Sequence, residues 1–130
     1  MENIYAGKTK KELSDILLEF SSYKTVIQGC STKTVDEYLL DLATFARFIL
    51  AKRAGISPES EEFAEIDISS ADAEFFKSVK TPEIYEFLLY AGTVRKNMWA
   101  AKARKLSAIK ALYKFMTTKK NMQFENPAIN

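Results

Sequence analysis

Three of the chain's four glycines, Gly29, Gly55 and Gly92, each follow a run of apolar residues spaced three and four apart. That punctuation admits little besides helices. In the first run Leu13, Ile16, Leu17, Phe20, Tyr23 and Ile27 share a face. Thr9-Lys10-Lys11-Glu12 ahead of it has the form of a capping box, Thr9 as N-cap and Glu12 reaching back. The second run is Val35, Tyr38, Leu39, Leu42, Phe45, Phe48 and Ile49, opened by Ser31 or Thr34 and stopped by Gly55. Residues 56–67, with Pro58 and five acids, read as a solvated loop. Ser69-Ser70-Ala71-Asp72 starts a short helix through Phe75, Phe76 and Val79. Thr81-Pro82-Glu83 then sets Thr81 as N-cap, Pro82 in the first helical position and Glu83 at the positive end of the dipole. Ile84, Phe87, Leu88 and Ala91 form the buried side of that helix, and Gly92 closes it. A last, long helix begins between Thr93 and Asn97. Five helices on short loops predict an all-α bundle around one core.

Charge singles out the last helix. Residues 94–120 carry nine Lys/Arg and no Asp or Glu. Residues 1–93 hold ten basic and sixteen acidic side chains, residues 94–130 nine and one, so a formal +2 conceals strong segregation. Trp99, Ala103, Leu106, Ile109, Leu112, Tyr113 and Met116 make one broad apolar stripe. At about 100° per residue, Arg104, Ser107, Lys110 and Lys114 fall together on one flank. Lys102 and Lys105 lie on the other. Basic side chains on a helix are ordinarily just a solvated face. A helix built only for solubility, however, interleaves Glu with Lys at i,i+4, and this one does not. The pattern predicts a surface for a polyanion.

Other chemistry is narrowed by composition. Apolar content of 47% excludes disorder, and no apolar run reaches the length of a membrane span. The N-terminus lacks the apolar core of a secretory signal, and the lone Cys30 has no partner for an internal disulfide. Both agree with a cytoplasmic protein. Histidine is absent, which removes Ser-His and Cys-His catalysis and the usual zinc sites. No paired carboxylates stand out. No catalytic residue, metal site or cofactor is therefore expected.

Three stretches resemble one family. Ser31, Thr34, Tyr38, Leu42 and Phe45 match the S-x-x-T-x-x-x-Y-x-x-x-L-x-x-F opening of the core-binding domain of tyrosine recombinases, the phage integrase and Xer group. Residues 104–115, RKLSAIKALYKF, are similar to its last helix, and Asn126-Pro127-Ala128 to the N-P-A that leads into the catalytic domain. The resemblance implies a SAM-like orthogonal bundle of four to five helices, residues 1–130 forming a single core-binding domain. It implies half of a clamp around double-stranded DNA, with the second and last helices facing the duplex. Thr32, Lys33 and Thr34 would then meet a phosphate at a helix N-terminus. Lys102, Arg104, Lys105, Ser107, Lys110 and Lys114 would carry the last helix's contacts. Ala101 stands where many members have Ser or Thr, and residues 66–92 hold two short helical segments where compact members have about one. The family's Arg, Lys, His-x-x-Arg and tyrosine nucleophile lie in a C-terminal domain that this chain lacks. The isolated domain is accordingly expected to be a monomer without enzymatic activity, from a parent that is a tetramer on DNA.

Two other readings arise from the same basic helix. It could meet an acidic protein partner, or lie on an anionic membrane. Against the membrane, Trp99, Leu106, Ile109 and Tyr113 are needed for the core.

Overall fold

The computed structural model of the protein describes residues 13–93 and 99–128. All the regular structure among them is helical. The chain falls into two compact units, Met1–Ala73 and Glu74–Asn130.

The first unit opens with α1, Asp15–Ser22, which runs straight into a π turn, Tyr23–Ile27. The Thr9–Glu12 capping box lies outside the described residues. Ser14 occupies the N-cap, but its hydroxyl donates to the Ala71 carbonyl at 2.6 Å instead of capping. Leu13, Ile16, Leu17 and Phe20 are buried, as their spacing predicts. Ile27 is not. The wider π turn carries it and Val26 off the buried face, leaving both exposed. The turn closes with Gln28 N–H on the Tyr23 carbonyl and Cys30 N–H on that of Lys24, over Gly29 at φ +65°.

α2, Thr32–Ala54, is 23 residues and about 34 Å long. Ser31 is its cap, accepting from the Thr34 N–H at 3.2 Å. Val35, Leu39, Leu42, Phe45, Phe48 and Ile49 are buried, with Tyr38 half-buried against the Phe20 ring. Two acids, Asp36 and Asp41, are buried on the same helix. Gly55 ends it at φ +74°, its N–H on the Lys52 carbonyl and that of Ile56 on Ala51, the paired bonds of a Schellman motif. The stretch expected to be an open loop contains one helical turn, α3, Glu61–Ala64, on which Phe63 is half-buried. The 3₁₀ turn Ile68–Ser70 follows, capped by Asp67, whose carboxylate accepts from the Ser69 N–H at 2.9 Å. The Ser69 contacts hold the Asp67 carboxyl below its ordinary range.

The second unit holds α4, Ala73–Ser78, from its second residue on, with α5, Thr81–Thr93, and α6, Trp99–Lys114. The start of α5 is capped one residue earlier than predicted. Glu83 reaches back to accept from the Lys80 N–H at 2.9 Å, while the Thr81 hydroxyl donates to the Pro127 carbonyl at 2.8 Å. Asn126 closes an Asx turn on the Ala128 N–H. The Asn-Pro-Ala stretch is thereby tied to the start of α5. Phe76, Ile84, Phe87, Ile109, Leu112, Tyr113 and Met116 are buried, and the Tyr113 hydroxyl donates to the buried Phe76 carbonyl at 2.6 Å. α6 ends as α1 does, through a π turn (Phe115–Lys119) and a left-handed residue, Asn121 at φ 54°. The predicted start of this helix, between Thr93 and Asn97, involves residues outside those described.

Candidate nucleic-acid interface

The facing of α6 decides which cations are available. Its buried arc is Lys105, Ala108, Ile109, Leu112 and Tyr113, continued by Met116. Relative to the stripe read from the large apolar residues, that arc is rotated by about 60°. Two expectations fall with the rotation. Lys105, expected on a solvated flank, is 6% exposed, and Trp99, expected in the core, is 78% exposed. Leu106 is only half-buried and Ala103 is exposed. Small residues share the buried side: Ala108 is wholly buried and Ala101 half-buried, and Lys105 lies on the same arc.

Arg104, Ser107, Lys110 and Lys114 are exposed together, as their spacing predicts. They span about 15 Å along the axis. The Lys102 side chain is half-buried and lies against Gly92 of α5. A Cβ built on Gly92 would stand 3.0 Å from its Cδ and 3.4 Å from its Nζ. Gly92 therefore sits within the last turn of α5, not beyond its end, and makes room for the Lys102 stem. The Lys102 ammonium also lies 5.9 Å from the centre of the Trp99 ring. Leu88, Trp99, Lys102, Ala103, Leu106, Ser107 and Lys110 line an open groove of about 290 Å³. Periodicity had assigned Leu88, Trp99 and Leu106 to the core.

Thr32, Lys33 and Thr34 belong to the first unit, and all three are exposed at the start of α2. Ser31 takes the Thr34 N–H through its hydroxyl and the Val35 N–H through its carbonyl. The N–H groups of Thr32 and Lys33, in the first helical turn, have no carbonyl within the helix to bond. An anion there would meet both N–H groups, the dipole and the Lys33 ammonium.

Phosphate attraction is what these groups can do. Among the described residues no three His, Cys, Asp or Glu side chains gather to hold a metal, and no helix is long and apolar enough to cross a membrane. Of the tyrosines, Tyr113 is committed to the core.

The chain is 34% identical over 112 residues to the tyrosine recombinase XerC of Caldanaerobacter subterraneus subsp. tengcongensis. The match takes in 86% of this chain and 31% of that protein, so the chain spans under a third of its relative's length. No family model and no solved structure matches it.

Proposed function

With the chain recognised as a tyrosine-recombinase N-terminal domain, we propose that residues 1–130 form a single domain that binds double-stranded DNA as half of a clamp. Arg104, Ser107, Lys110, Lys114 and Lys102 on α6 contact phosphates, and Thr32, Lys33 and Thr34 do so at the start of α2. Lys105, being buried, is not among the contacts. The observation that carries the reading is an exposed basic flank on a helix that holds no acid. In this proposal the chain supplies affinity and position, and strand exchange belongs to the rest of a longer recombinase, assembled as a tetramer on DNA in the cytoplasm.

A salt titration tests it. With about four phosphates neutralised, log K should fall against log salt with a slope near −3.6, and non-specific Kd should be on the order of 10⁻⁴–10⁻⁶ M. A binding curve unmoved between low and moderate salt would remove the proposal.

A further inference from the structure

We infer that the groove between α5 and α6 docks an acidic amphipathic helix of a protein partner, which competes with DNA for Lys102 and Lys110. The groove has two parts that ask for different chemistry. Its apolar lining is Leu88, Trp99, Ala103 and Leu106, and its polar lining is Lys102, Ser107 and Lys110. A phosphate backbone uses the polar lining and gains nothing from the apolar one, because apolar surface is removed from water only by another apolar surface. Trp99 at 78% exposed marks how much of this edge is left wet.

At about 290 Å³ the space is at or below the ~300–1,000 Å³ of small-molecule sites. It is open along the helix, the shape that receives side chains projecting from one face of a helix laid into it. Charge then selects the occupant. Trp99–Lys114 contains no acid, so a partner segment meets Lys102 and Lys110 in the groove with Arg104 and Lys114 further round α6. Glutamates flanking an apolar stripe satisfy both parts. A second copy of the groove does not, since two-fold pairing sets lysines against lysines.

The probe is a labelled synthetic peptide of about 18 residues, with leucines at i, i+3, i+4 and i+7 spacing and glutamates elsewhere. It is titrated against the 130-residue chain by fluorescence anisotropy. Expected results are saturable binding, a blue shift of the single tryptophan's emission, and displacement of the peptide by duplex DNA. Trp99→Ala, at an exposed position, should keep the helical circular-dichroism signal and weaken the peptide about thirtyfold, the weight of a central tryptophan anchor. It should leave the salt slope for duplex DNA unchanged, which keeps this inference separable from DNA binding itself. Equal binding of a peptide of the same composition in scrambled order would overturn it, by showing simple polyanion attraction. So would a Trp99→Ala variant that loses DNA as strongly as peptide, or peptide and duplex bound at once.

Discussion

Reversing two charges on the solvent flank of α6 should separate binding from folding. Arg104 and Lys110 are both exposed, so Arg104→Glu with Lys110→Glu removes two phosphate contacts without touching the core. Each contact contributes about 0.9 to the salt slope, so the slope should fall from about −3.6 to about −1.8. At ~0.15 M salt one contact is worth about fivefold in K, and two about thirtyfold, before any repulsion from the introduced carboxylates. Stability should move by no more than about half a kcal/mol. Ile109→Ala is the counterpart. Ile109 is wholly buried, and truncating it should cost about 2–5 kcal/mol. At about 3–5 °C per kcal/mol for a chain of this size, the midpoint should drop by at least ~6 °C. Its DNA slope should stay that of the parent while the domain remains folded. Anisotropy on a labelled duplex across a salt series and thermal melts by circular dichroism read both variants. A double reversal that keeps the parent slope, or that melts as early as Ile109→Ala, would refute the assignment of faces.

Three further outcomes follow from individual contacts. Tyr113→Phe removes the hydroxyl's bond to the Phe76 carbonyl, which keeps the Val79 N–H at 3.3 Å, and should cost about 0.5–1.5 kcal/mol in chemical denaturation, with the DNA slope unchanged. Gly92→Ala should hold or raise the melting midpoint, since alanine is favoured over glycine in a helix by up to about 1 kcal/mol. Because its Cβ would sit 3.0 Å from Lys102 Cδ, that flexible stem must give by a few tenths of an ångström, so the salt slope should stay near the parent's; a lowered midpoint would count against the reading. The Asp67 carboxyl is held below its ordinary range, first by the Ser69 side chain and then by the Ser69 N–H. Its contribution is therefore present above the unfolded-state value of about 3.9 and is lost as pH falls through the folded one, so parent and Asp67→Asn melts should differ at neutral pH and converge in acid.

What the sequence alone determined about this protein is what short-range chemistry decides. Ser31 with Thr34, and Gly55 behind a long apolar run, announced both ends of α2, because a cap is an interaction over three or four residues. The exposed set Arg104, Ser107, Lys110 and Lys114 was equally legible, since the helical period alone puts it on one flank. The same period could not say which neighbouring arc would be covered. That depended on packing against the rest of the fold, which buried Lys105 with Ala108 and turned Trp99 outward. Thr81 shows the same limit on a smaller scale. Its position suited an N-cap, but its hydroxyl went to the Pro127 carbonyl, 46 residues away in sequence, and Glu83 bonded the Lys80 N–H instead. Gly92 read as a helix stop, and only packing showed it as the space through which Lys102 reaches the groove. Hydrogen bonds and side-chain volume act between residues distant in sequence, so only the tertiary structure could choose among faces and caps that the local pattern allowed.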